Sequence, residues 1–231
     1  MDYQNNTKLS ESLRVPQASI PADMMQNLQR YIDPNISPAM YSYSQKSQLA
    51  LAEYFYKLEA EGRTLYHLSI TYKPYSGREY GVNDVNNFFK SFYTKKFLHY
   101  LMGTKNIHTN HMKSIQPICF CFIDEHRPKV VRTPKVAIPT YADDYTINFA
   151  TPLHHHAILA VHPDIVNRMR LLEGKNKLND GSFTHKIKSS DLRECEAKTV
   201  IYASKMLKQY PDYMTFPDSF TRHRNKIKTS H

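Results

Sequence analysis

The sequence predicts an α+β fold: a central antiparallel sheet with helices packed on one of its faces. Three observations predict it. Strand-like and helix-like runs follow one another as β-α-β-β-α-β-α between residues 66 and 209, with no internal repeat. Two of the strand-like runs, Ile115–Ile123 and Leu153–Val161, carry the near-continuous apolar character of buried strands. The 17 Tyr and 11 Phe, within a chain that is 41% hydrophobic and 23% charged, supply the bulk of a full-size core.

Residues 1–43 are rich in Asn, Gln, Ser and Pro and keep no period, which predicts an extension outside the domain. From Ser44 onward, Leu51, Tyr54, Phe55 and Leu58 fall at i, i+3, i+4 and i+7, the stripe of an amphipathic helix that stops near Gly62. Tyr66–Tyr72 alternates and reads as a strand, and Pro74–Gly81 as a turn. Asn83 or Asp84 can cap the next helix, whose buried face is Val85, Phe88, Phe89, Phe92, Phe97, Tyr100 and Leu101, with Gly103 at its end.

The Ile115–Ile123 strand terminates in Asp124-Glu125-His126, and residues 127–150, with Pro128, Pro134 and Pro139, read as a long insertion or irregular hairpin. Leu153–Val161 is a further strand, and Pro163-Asp164 opens a helix that runs through Leu172 to Gly174. Lys177–Ser190 contains Asn-Asp-Gly and predicts a turn and a strand. A last helix is expected from Asp191 to Gln209, with Val200, Ala203 and Leu207 as its core stripe. The expected organisation is an extension (1–43), one domain (44–213) and a basic tail (214–231). Within that tail, Arg222–Lys228 is either solvated or a phosphate-contacting arm.

Composition narrows the partners. The chain has 231 residues with 31 Lys+Arg against 21 Asp+Glu, a formal charge of +10. A surplus of that size favours a polyanionic partner, because basic side chains neutralise phosphates and release counterions. With a mean hydropathy of −0.59, no apolar run approaches the roughly 18 residues a bilayer span needs. Cys119, Cys121 and Cys195 are odd in number, and the first two sit too close along one strand to bridge, so free thiols in a reducing, cytoplasmic compartment are expected. No Gly-x-x-x-x-Gly-Lys-Ser/Thr loop is present, so no nucleotide-driven motor is expected in this chain.

The residues most able to carry chemistry lie in Leu153-His-His-His-Ala157. Side chains at i and i+2 of a strand share a face, so His154 and His156 point together while His155 points away with Ala157 and Leu159. Two imidazoles about 7 Å apart, at roughly 3.3 Å per residue, can converge on one metal ion if a third ligand joins them. On the last helix, Tyr202 and Lys205 lie one turn apart. A phenol beside a cation is a usable nucleophile toward a polarised phosphodiester.

A strand Tyr66–Tyr72, a histidine-pair strand and a helix bearing Tyr-x-x-Lys, in that order, resemble the HUH endonucleases: rolling-circle replication initiators, conjugative relaxases and single-strand transposases. The resemblance covers about residues 60–210. The family's usual central hydrophobe is His155 here, and the apolar run after His156 selects His154 and His156 as the pair. Met206 stands where two-tyrosine members carry their second tyrosine, which implies a single-tyrosine enzyme. The resemblance implies a metal site of His154, His156 and an acidic neighbour, Asp124 or Glu125, holding Mg²⁺ or Mn²⁺. It implies attack by Tyr202 on single-stranded or hairpin DNA at a replication origin, with Lys205, or less directly Lys208, countering charge. A host helicase and polymerase would follow the cut in a bacterial cytoplasm. The size favours a plasmid or phage initiator; a transposase, a small relaxase or a non-catalytic nucleic-acid-binding module with a similar sheet are the other readings.

Overall fold

The structure, a computed structural model, describes residues 37–73, 80–125, 153–179 and 186–217, with Gln26 and Asn35 apart from them. Most of the expected extension, the greater part of the 74–81 turn, the 127–150 insertion, the Asn-Asp-Gly turn beyond Asn179 and the Arg222–Lys228 run lie outside the described residues.

Helix α1 spans Tyr43–Ala60, and its start is a capping box: the Ser42 hydroxyl accepts from Gln45 N–H while the Gln45 side chain accepts from Ser42 N–H at 2.8 Å. It ends where Gly62 takes a positive φ of 88°. Strand β1 (Thr64–Tyr72) leads to helix α2 (Val82–Phe92), a π turn (Tyr93–Phe97) and α3 (Leu98–Met102), which ends at Gly103 with φ 64°. Gly81 caps α2; Asp84, in the first turn, accepts from its N–H at 3.1 Å. Phe88 is only half-buried and Tyr100 is exposed, so the predicted face is narrower than the spacing suggested. The π turn shifts the phase of the helix ahead of Tyr100.

Helix α4 (Asn110–Ile115) is unexpected: Ile115 closes a helical turn capped by Thr109, and only after Gln116-Pro117 does strand β2 (Ile118–Glu125) begin. Strand β3 (Leu153–Val161) and helix α5 (Pro163–Arg170) follow. The predicted helix from Asp191 is corrected. Ile187–Glu194 is strand β5, paired with β1, and a two-residue strand β4 (Gly174–Lys175) pairs on its far side. Buried Ile187, Ser190 and Leu192 anchor β5, so sheet pairing overrides the helical look of a polar segment. Helix α6 begins only at Thr199 and ends at Ala203, and Lys205–Lys208 tightens into a 3₁₀ turn. Met214–Phe216, expected in the tail, is edge strand β6 on β2.

The sheet order is β4-β5-β1-β3-β2-β6, and each neighbouring pair is antiparallel. Helices cover both faces, not one as the element order suggested, because all nine residues of β3 are buried. On one face α2, α3 and α5 bring Val85, Phe89, Leu101 and Met169 onto Leu68, Ile70, Cys121 and Leu159. On the other, α1 and α6 bring Leu51, Phe55 and Val200 onto Phe120, Phe122, Ile158 and Ala160. Burying each of these large side chains contributes about 1.5–3 kcal/mol. On this α1/α6 face, at the end of β2 and the start of β3, Asp124 lies opposite His154 and Phe122 opposite His156.

Candidate metal centre

Alternation along β3 separates the three histidines as the sequence predicts. His155 points into the α2 face, where its Nδ1 lies 2.7 Å from the Tyr72 hydroxyl and its Nε2 lies 3.0 Å from Asn86 Oδ1. An amide oxygen only accepts, so Nε2–H donates to Asn86 and the Tyr72 O–H donates to Nδ1. Burial pushes the His155 imidazole down to about 3, with its two histidine neighbours acting in the same direction. It is a neutral, fully satisfied core residue with no lone pair to spare.

His154 and His156 point to the other face. Their Nε2 atoms are 3.2 Å apart, and Asp124 Oδ2 lies 3.4 Å from the first and 3.1 Å from the second. All three residues are buried. Ligand atoms about 2.0–2.2 Å from a first-row divalent ion stand about 3.0–3.5 Å from each other, so the donor set fits one such ion. Rotation of the two rings toward each other closes the roughly 7 Å strand repeat to this spacing. A buried Asp-His-His group can therefore hold a metal ion.

Asp124 is 2% exposed. Its Oδ1 accepts from the Glu125 N–H at 2.8 Å, and its Oδ2 faces His156 and Lys205 Nζ, the latter at 2.6 Å. Burial acts to raise this carboxyl, but the hydrogen bonds from His156 and Lys205 and the nearby His154 together hold it well below the usual carboxylate range. Glu125, the other acidic candidate, does not join the group. It points to the opposite face of β2, where Gln209 donates to it at 2.9 Å and the Tyr210 hydroxyl also bonds it.

Tyr202 is 53% exposed, a high value for an aromatic ring against a sheet. Its ring meets His156 edge-on at a centroid distance of 5.2 Å, and Lys205 Nζ sits 4.3 Å from its ring centroid. The break at Ser204 places Tyr202 on α6 and Lys205 on the 3₁₀ turn, yet both converge on the Asp-His-His group. Lys208 lies further along, with Lys205, Met206 and Gln209 in a shallow groove. Lys198 instead pairs with Glu196 at 2.5 Å.

Protein-family models, curated proteins and solved structures were compared with the chain, and none matches. Cys119 and Cys121 are free, buried thiols packed in the α2 face, which fits small core residues. Among the described residues no helix is long and apolar enough to cross a membrane.

One site residue escaped the sequence reading. His67 of β1 shares the face of Leu65 and Ser69, and its Nε2 lies 2.9 Å from His156 Nδ1 with the two rings stacked. Its ring also meets Tyr202 edge-on at 6.1 Å. Burial, with His156 and nearby basic groups, pushes the His67 imidazole down to about 4. Alternation in β1 places His67 on a face, but only the β1–β3 register, Ser69 opposite His156, brings it to the site.

Proposed function

We propose that the chain is a metal-dependent nuclease that nicks and rejoins single-stranded DNA through a 5′-phosphotyrosine link. The observation that carries the reading is the placement of an exposed tyrosine edge-on against a member of a buried Asp-His-His group, with a lysine between them. A phenol at that position is accessible to a polymer, whereas Phe55, Phe120 and Phe122 of the same layer are buried.

Asp124, His154 and His156 would hold the cation, Mg²⁺ or Mn²⁺ by the resemblance, and its charge would polarise the scissile phosphate. The Tyr202 oxygen attacks phosphorus and loses its proton to solvent; the P–O3′ bond breaks, and the departing oxygen takes up a proton as a free 3′-hydroxyl. Lys205 would counter charge on the phosphate oxygens. Rejoining is the reverse attack by a 3′-hydroxyl on the phosphotyrosine. A charge of +10 supports a DNA partner. On this reading the chain initiates rolling-circle replication of a plasmid or phage at an origin hairpin and leaves unwinding and synthesis to a host helicase and polymerase.

The test is an adduct assay with a stem-loop oligonucleotide library in Mn²⁺. Wild type should yield a denaturation-resistant protein–DNA species and Tyr202→Phe none. An adduct that survives the substitution removes Tyr202 as nucleophile, and a wild type with no adduct for any member of the library removes the nicking reading.

A further inference from the structure

His67 has the geometry of an outer-shell partner for a metal-bound imidazole. It belongs to no predicted ligand set, is half-buried, and makes a 2.9 Å hydrogen bond to the ring nitrogen of His156 that faces away from Asp124. A neutral imidazole has one N–H and one lone pair, so this bond and the one to Asp124 cannot be set independently. Without a cation, His156 Nε2–H donates to Asp124 Oδ2, its Nδ1 must accept, and His67 Nε2–H is the donor. A cation on His156 Nε2 needs that lone pair, so the proton must sit on Nδ1 and His67 must accept.

We propose that His67 is the positioning residue that sets the tautomer of His156 and thereby its readiness to bind metal. This rests on the reading that Asp124, His154 and His156 hold a divalent cation. The switch balances: one proton enters at His67 Nδ1, one crosses from His67 Nε2 to His156 Nδ1, and one leaves His156 Nε2. Neither ring changes its net charge, and the heavy atoms keep their places. A side chain that can both donate and accept at this point is required; an apolar ring of the same size would leave the loaded His156 N–H without its partner. Outer-shell partners of metal-bound histidines typically contribute 10–100-fold in metal affinity.

The experiment is Mn²⁺ titration of the full-length, DNA-free protein by calorimetry, with thermal melting in EDTA as a check on folding. His67→Phe keeps a ring against Tyr202 and His156 but cannot accept, and its affinity should fall by about 10–100-fold. His67→Gln, whose amide can turn to present either its oxygen or its NH₂, should stay within a few-fold of wild type. A Phe variant that binds as tightly as wild type overturns the inference and leaves the metal centre standing, as does a Gln variant as weak as the Phe variant. A wild type that binds no Mn²⁺ at millimolar concentration overturns both. If the Phe variant fails to melt cooperatively, His67→Leu takes its place with the same expected loss.

Discussion

Lys205 Nζ sits 2.6 Å from Asp124 Oδ2, the same oxygen that faces His154 and His156. The other carboxylate oxygen is tied to the Glu125 N–H. A cation held by this group would share the carboxylate with Lys205, and the two positive charges would repel each other. The lysine side chain is 40% exposed, so it has room to move off the carboxylate, and its Nζ also lies 4.3 Å from the Tyr202 ring centroid. Lys205→Met should raise Mn²⁺ affinity about fivefold, the equivalent of about 1 kcal/mol for a pair with one exposed partner. Calorimetry in the absence of DNA reads this directly; unchanged or weaker binding would show that Lys205 does not compete.

Asp124 and Glu125 separate cleanly by substitution. Asp124→Asn removes the charge that the two imidazoles converge on, and its Mn²⁺ affinity should fall by more than the 10–100-fold typical of an outer-shell change. Among the described residues the Glu125 carboxylate bonds Gln209 and Tyr210 on the opposite face, so Glu125→Gln should bind Mn²⁺ like wild type. Equal losses in the two variants would contradict the observed facing of β2.

That distinction marks the limit of what the sequence discloses. Alternation alone sorts His154 and His156 from His155, because period two is a property of one strand. Choosing Asp124 over Glu125 needs the β2–β3 register, and finding His67 needs the β1–β3 register; both are set by contacts distant in sequence. The core stripe Val200, Ala203 and Leu207 was legible, and all three residues are buried. The start of the helix carrying them was not, since Asp191 and Arg193 look helical until β1 offers them a partner.

The α2 face can be weakened without touching the metal group. Tyr72→Phe strips His155 Nδ1 of its donor in a fully buried setting, a loss of about 1–3 kcal/mol. Urea denaturation should show that loss, while Mn²⁺ affinity in the folded protein stays at the wild-type value. A large fall in affinity would mean that the two faces of β3 are coupled.

His155 also predicts a pH dependence of stability in EDTA. Its imidazole stays neutral in the folded protein down to about 3, whereas in the unfolded chain it titrates near 6.5. Below that value the unfolded state binds a proton the native state refuses, so stability falls as pH drops from about 7 to 5, by at most about 1.4 kcal/mol per pH unit from this ring. That window lies above the carboxylate range, so Asp124 does not contribute to it. His155→Gln keeps an amide toward Asn86 and cannot titrate; urea midpoints at pH 7 and 5 should lie closer together than in wild type. An unchanged separation would assign the slope to other groups.

Under the proposed nicking function, Lys208 would lie along the path of a DNA strand leaving Tyr202. It lines the groove beside Lys205 and Gln209, and among the described residues it forms no ion pair with a carboxylate. If one phosphate of a single strand lies over it, Lys208→Ala should lower the slope of log affinity against log salt by about 0.7 and weaken binding alike for every sequence. Fluorescence anisotropy across a salt series separates this from a change in site preference. An unaltered slope would place the strand on another side of Tyr202, toward β5, where Arg193 is paired in register with His67.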